Sequence, residues 1–225
     1  MQKIGMVSLG CPKNQIDAEV MLKKLEDAGF EITPVESEAD AIIVNTCGFI
    51  ESAKQEAIEN ILEVSAYKTD GNLKALIVTG CLAERYRDEI KEQMPEVDTV
   101  VGLAGNNDIV DIVKKALCGD GENVYGKKEE LVIEGDRMLT TPFYTAYIKI
   151  AEGCDNCCTY CAIPAIRGRY RSRYMQDILF EAGHLAESGV KELIVVAQDT
   201  TRYGKDLYGE PKLAQLLTNC AKSPA

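Results

Sequence analysis

Short apolar runs alternate with longer amphipathic stretches through the first half of the chain. Ile4–Leu9 reads as a buried strand broken by Gly10-Cys11-Pro12. Asn14 can cap a helix reaching about Ala28, with Ile16, Val20, Met21 and Leu25 on one face and Gly29 as the stop. Glu31–Val35 is a weaker second strand. Ala41-Ile42-Ile43-Val44 is continuously apolar, as a parallel strand covered on both faces should be. It runs into Asn45-Thr46-Cys47-Gly48, and a helix follows to about Tyr67 with Ala57, Ile58, Ile61, Leu62 and Ser65 as its inner stripe. Leu76-Ile77-Val78 is the next strand, ending at Thr79-Gly80-Cys81 ahead of a charged helix to about Met94. Val97–Val101 and a helix from Asn107 or Asp108 through Leu117 complete the series. This alternation predicts an α/β fold, an open parallel sheet of Rossmann-like type.

The second half reads differently. Gly119 to Arg137 is rich in glycine and charge, as a linker or peripheral hairpin would be. Tyr144–Ile150 and Leu193–Ala197 are strands, Asp177 to Gly189 is a helix, and a last helix starts near Lys212. His184, the only histidine, falls on a helix surface. The expected division is residues 1–120, a linker over 121–139, and a second domain over 140–225.

Length and charge narrow the function classes. With 225 residues, one or two domains are expected. The formal net charge of -11 argues against unspecific nucleic-acid binding. The opening residues lack the basic region and cleavage site of a secretory signal, and the longest apolar runs are too short to cross a bilayer. The expectation is a cytoplasmic protein with no membrane partner.

Chemistry enters through nine cysteines. Cys11, Cys47 and Cys81 each follow a predicted strand directly, beside a glycine, in three successive βα units. Parallel strands put their carboxyl ends on one edge, where ligands bind in such folds, so three thiols distant in sequence should meet there. A buried structural cysteine is the plainer reading of any one of them. Cys118 and Cys220 fit no such geometry.

Gly153-Cys154-Asp155-Asn156-Cys157-Cys158-Thr159-Tyr160-Cys161 is denser still. In a reducing compartment such a cluster points to metal rather than disulfides. Read as Cys154-x3-Cys158-x2-Cys161, three thiolates on an iron-sulfur cube leave one iron open to bind a small molecule. A zinc knuckle would pair Cys154 with Cys157 and Cys158 with Cys161, but structural zinc pairs usually stand farther apart in sequence. A bacterial ferredoxin run has its spacers in a different order. Beyond the loop, Arg167, Arg169, Arg171 and Arg173 alternate with other residues. On an extended segment they would share one side, either as a solvated basic face or as a cradle for a carboxylate.

The cysteine loop, with an aromatic before its third cysteine, resembles that of the radical S-adenosylmethionine superfamily. Together with Cys11, Cys47 and Cys81 it resembles the methylthiotransferases. Ser8-Leu9-Gly10-Cys11-Pro12-Lys13-Asn14 and Gln198-Asp199-Thr200-Thr201-Arg202-Tyr203-Gly204 are similar to the branch acting on an aspartate of a small-subunit ribosomal protein. The resemblance covers nearly the whole chain and implies two 4Fe-4S clusters and S-adenosylmethionine as cofactors. Cys11, Cys47 and Cys81 would hold one cluster, and Cys154, Cys158 and Cys161 the other. Tyr160, Arg167 and Gln198 would contribute to the cofactor site. The implied partners are the ribosomal protein and an electron donor such as flavodoxin or ferredoxin, with no direct nucleic-acid substrate. The resemblance also implies that residues 140–225 begin a (β/α) partial barrel. A complete barrel takes about 250 residues, so an amino-terminal fragment is expected. Cys157 is extra to the pattern, and the tail Thr218–Ala225 diverges from it.

Three other readings stay open at this stage. A transfer-RNA adenosine methylthiotransferase would use the same clusters, though the acidic charge disfavours it. An iron-sulfur electron-transfer or scaffold module would gain nothing from open irons. The last is an inactive fragment.

Overall fold

The computed structural model describes residues 1–131 and 135–222, which form two compact units, Met1–Met138 and Leu139–Ala225. Parts of the expected linker (132–134) and of the divergent tail (223–225) lie outside the described residues.

The first unit holds strands β1 (Lys3–Ser8), β2 (Glu31–Ile32), β3 (Ala41–Thr46), β4 (Ala75–Gly80) and β5 (Thr99–Val100). Its α-helices are α1 (Pro12–Asp27), α2 (Glu51–Ser65), α3 (Tyr67–Asp70), α4 (Cys81–Arg85), α5 (Arg87–Gln93) and α6 (Ile109–Leu117). The strands make one parallel sheet in the order β2-β1-β3-β4-β5. Every residue of β3 and β4 is buried, because helices cover both faces. Ile42, Val44, Leu76 and Val78 face Ala57, Ile61 and Val64 of α2, with Leu82 and Ile90. Ala41, Ile43, Ala75 and Ile77 face Met21 and Leu25 of α1 and Ile109, Ile112 and Val113 of α6. Each of the buried Ile, Leu, Val and Met side chains among these stabilises the fold by about 1.5–3 kcal/mol relative to exposure. The sheet runs outward from β1 to β2 and then back across to β3. Ligand crevices in open α/β sheets lie at such a reversal, outside the strands' carboxyl ends.

Three local features differ from the periodicity. α1 starts at Pro12, with Cys11 in the N-cap position, so Asn14 is inside the helix rather than capping it. Proline suits that first turn because its missing N–H has no intrahelical partner to lose. The charged helix after β4 breaks at Tyr86 into α4 and α5. On α2 the inner stripe uses Val64, whereas Leu62 is exposed.

Residues 121–131 and 135–138 run along this unit rather than away from it. Val124 bridges Val101, and its N–H donates to Val100 O at 3.1 Å. Arg137 and Glu19 form a buried ion pair at 3.0 Å.

The second unit contains β6 (Thr145–Lys149), β7 (Ala151–Glu152), β8 (Arg171–Ser172) and β9 (Glu192–Val196). Its α-helices are α7 (Ile163–Arg167), α8 (Met175–Glu187), α9 (Lys205–Tyr208) and α10 (Leu213–Lys222). β6 and β9 pair in parallel, with α8 as the crossover between them. Ile148, Ile150, Ile178, Ala182, Tyr203 and Leu216 form the core beneath. β7 and β8 pair antiparallel, Glu152 opposite Arg171, a contact that hydrophobic period does not predict. Among the described residues no helix is long and apolar enough to cross a membrane.

Candidate cysteine sites at the strand ends

The first site is assembled by the sheet. Cys11 follows β1, Cys47 directly follows β3, and Cys81 is the first residue of α4 after β4. The register sets Ser8 opposite Asn45 and Thr46 opposite Gly80, so the three strands end level with one another. Close backbone approach then brings the turns together. Gly10 has φ of 104°, and a Cβ built there would stand 2.7 Å from the Cys47 Cβ. A Cβ on Gly48 would stand 2.7 Å from the Leu82 Cα, next to Cys81. Any side chain at either glycine would force these turns apart.

A buried amide ties the same three turns. Asn14 Nδ2 donates to Leu9 O at 3.2 Å and to Thr46 O at 2.7 Å. The Cys81 thiol donates to Asn14 Oδ1 at 3.5 Å. Asn45 Nδ2 in turn donates to Asn14 O at 2.7 Å. Cys81 is buried, while Cys11 and Cys47 are partly accessible. Among the described residues no three of these or other donor side chains stand tightly enough to grip a single metal ion. An iron-sulfur cube takes each thiolate on a separate iron and so does not need three donors around one ion.

The second site is a loop closed by the β7–β8 pair. Gly153 enters it with φ of 70°, and a Cβ there would lie 2.1 Å from Arg169 O. Cys154 is buried and its N–H donates to Gly168 O at 3.1 Å. Asn156 N–H donates to Cys154 Sγ at 3.4 Å, and Cys161 N–H to Cys158 O at 3.0 Å. Cys157 and Cys158 are exposed, Cys161 is half-buried, and Tyr160 is 85% exposed. The turn after β9 lies beside this loop. Asn156 Nδ2 donates to Asp199 Oδ2 at 3.3 Å, and Arg202 stands 3.6 Å from Asp155. Gln198 is half-buried at the start of that turn. Cys154, Cys158 and Cys161 thus share one loop, and Tyr160 and Gln198 belong to the same end of the unit.

Arg167 stands elsewhere than its spacing implied. The segment is not extended throughout: Arg167 closes α7, and Gly168 turns the chain with φ of 77°. The four guanidinium groups therefore do not share one side. Arg169 is exposed, while Arg167 and Arg173 are buried in ion pairs with Glu152 and Glu181 at 2.9 and 2.6 Å. Lys149 Nζ also reaches Glu152, at 3.0 Å. Burial alone would push the Glu152 carboxyl up, but Arg167 and then Lys149 outweigh it and hold the group down to about 2. Glu152 Oε1 accepts from the Gly153 N–H at 3.0 Å, so this ionic knot is joined to the entrance of the cysteine loop. Sequence reasoning did not single out Lys149, Glu152 or the bonding of Asn14. Two charges three apart in an apolar strand, Lys149 and Glu152, were the available signal.

Residues 3–102 match the family described as Uncharacterized protein family UPF0004. The chain is 55% identical over 221 residues to the Ribosomal protein uS12 methylthiotransferase RimO of Desulforamulus reducens, covering 96% of this chain and 49% of that protein. The protein of the same name from Acetivibrio thermocellus is 55% identical over 224 residues, with 96% and 49% covered. That of Clostridioides difficile is 53% identical over 224 residues, with 99% and 50% covered. The chain spans about half the length of the curated relatives it matches. By its sequence the chain is similar, over nearly its whole length, to RimO-type methylthiotransferases.

Proposed function

We propose that this chain is the part of a methylthiotransferase that carries both iron-sulfur sites, and that the whole enzyme adds a methylthio group to the β-carbon of an aspartate in ribosomal protein uS12. The observation that carries the reading is the meeting of the turns of Cys11, Cys47 and Cys81 at the carboxyl edge of the first unit's sheet; the second unit has, by itself, a loop bearing Cys154, Cys158 and Cys161. Residues 1–120 would be the amino-terminal methylthiotransferase domain and residues 140–225 the opening of a radical S-adenosylmethionine barrel. The parallel β6–α8–β9 arrangement is compatible with the latter.

In this reading Cys11, Cys47 and Cys81 hold one 4Fe-4S cluster, and Cys154, Cys158 and Cys161 the other. When bound, these clusters supply an open iron to chelate S-adenosylmethionine, an electron for its cleavage, and a carrier for sulfur. The chain's own residues frame that chemistry. Gly10 and Gly48 let the first three turns meet, and Gly153 lets the second loop fold back on Arg169. Exposed Tyr160 is available to flank an adenine, and Gln198 to line the same end. Arg167, committed to Glu152, contributes by holding the strand end rather than by reaching the cofactor. The enzyme would work in the cytoplasm with a flavodoxin or ferredoxin as electron donor.

The test gives the full-length protein S-adenosylmethionine, reductant and sulfide together with uS12 and transfer RNA. Mass spectrometry should find a methylthio group on a uS12 aspartate and unmodified adenosine. Modified adenosine beside untouched uS12 would overturn the assignment.

A further inference from the structure

We infer that Asn14 is a positioning residue for the first cluster site, acting as a cross-tie that holds the turns of Cys11, Cys47 and Cys81 in register before iron arrives. The inference rests on the reading above that these three cysteines hold a cluster. Its basis is one side chain's set of partners. Asn14 is 1% exposed, within the first turn of α1, where a polar residue gains nothing from the core. Its amide meets all three turns at once. Nδ2 donates to Leu9 O in the turn of Cys11 and to Thr46 O just before Cys47, and Oδ1 accepts from the Cys81 thiol. The orientation of the amide is dictated by chemistry, since a flipped group would set its oxygen against two carbonyls. Asn45, beside Cys47 in sequence, ties the Asn14 backbone carbonyl to the same edge.

No smaller or purely accepting side chain does this. Two donors are needed for the two carbonyls, which stay bonded whether or not iron is present; the acceptor on the opposite side serves the Cys81 thiol only until that thiol loses its proton to solvent on binding iron. Serine offers one donor, and alanine none. Without the tie, Leu9 O and Thr46 O lose a donor, and the three turns keep their strand register, the glycine contacts, the Asn45 bond to the Asn14 carbonyl and the Arg85 bond to Gly48 O at 3.0 Å. Outer groups that orient metal ligands typically change metal affinity by about 10–100-fold when removed.

The test uses this chain with Cys154, Cys158 and Cys161 replaced by alanine, reconstituted anaerobically with iron and sulfide. Iron per chain and its rate of loss to a chelator are measured beside the unfolding temperature of the iron-free protein. Asn14→Ala should lose iron about ten-fold faster than the parent, with Asn14→Ser in between. Met21→Ala, a core substitution on the same helix, serves as the stability control and should lower the unfolding temperature while leaving the iron-loss rate near the parent's. Equal rates for parent and both Asn14 variants would overturn the inference. So would Met21→Ala losing iron as fast as Asn14→Ala at a matched drop in unfolding temperature, because Asn14 would then be merely structural. A parent that takes up no iron would sink the cluster reading itself, and this inference with it.

Discussion

Lys149 Nζ stands 3.0 Å from Glu152 Oε2, and both side chains are fully buried at the end of one strand run. The same carboxylate oxygen accepts from Arg167 at 2.9 Å, so one anion serves two buried cations. Such a knot is weak evidence of net stability, since desolvating the charges costs about as much as their attraction returns. Breaking it is another matter. Glu152→Gln would remove the charge that Lys149 and Arg167 share. The second unit should lose about 3–5 kcal/mol in chemical denaturation. A loss within the error of the measurement would mean that these cations find other partners.

Cys157 makes only a long contact, its thiol donating to Asp155 O at 3.8 Å, and is exposed. Adjacent side chains in an extended loop point apart, so Cys157 and Cys158 are ill placed to serve one cube together. Cys157→Ser should leave iron content and S-adenosylmethionine cleavage nearly unchanged, while Cys158→Ser should abolish both. The reverse pattern would make Cys154, Cys157 and Cys161 the ligand set.

The two sites should be separable by iron analysis. Replacing Cys11, Cys47 and Cys81 together with alanine removes thiols from one unit only. The anaerobically reconstituted protein should then hold about half of its iron, the share expected for one cluster of two. A full-length version should still cleave S-adenosylmethionine. Loss of all iron, or of none, would end the two-cluster reading.

Asp40 offers a stability test that is independent of metal. Its carboxyl is held below the usual range by the Lys74 ammonium at 2.8 Å and by the Lys3 backbone N–H. A depressed folded value stabilises above the unfolded carboxylate range, and that stabilisation fades as pH falls through the folded value. Asp40→Asn should therefore cost about 1 kcal/mol at neutral pH, with the difference from the parent shrinking in acid. A difference that grows in acid would contradict this sign.

Much of the first unit was legible in the chain because its strands are buried on both faces. Ala41–Val44 and Leu76–Val78 are continuous apolar runs for that reason, and each is followed by a polar turn with glycine. Parallel pairing then obliges turns after successive strands to share an edge, so the gathering of Cys11, Cys47 and Cys81 could be anticipated from topology alone. What periodicity does not encode is which polar side chain turns inward. Asn14 has the composition of a helix cap, yet Pro12 starts the helix one turn's worth of residues earlier than a cap at that position would allow, and the amide is carried into the sheet edge. The arginines of residues 167–173 alternate in sequence, but alternation puts side chains on one side only where the backbone stays extended. Gly168, with positive φ, and the β7–β8 pairing decide otherwise and bury Arg167 against Glu152. Local pattern thus determined the central strands of the first unit, its sheet class and the candidate thiols. Only tertiary packing decided the charge knot and the amide cross-tie, because each depends on groups brought together from separate turns, whose pairing no single stretch of sequence specifies.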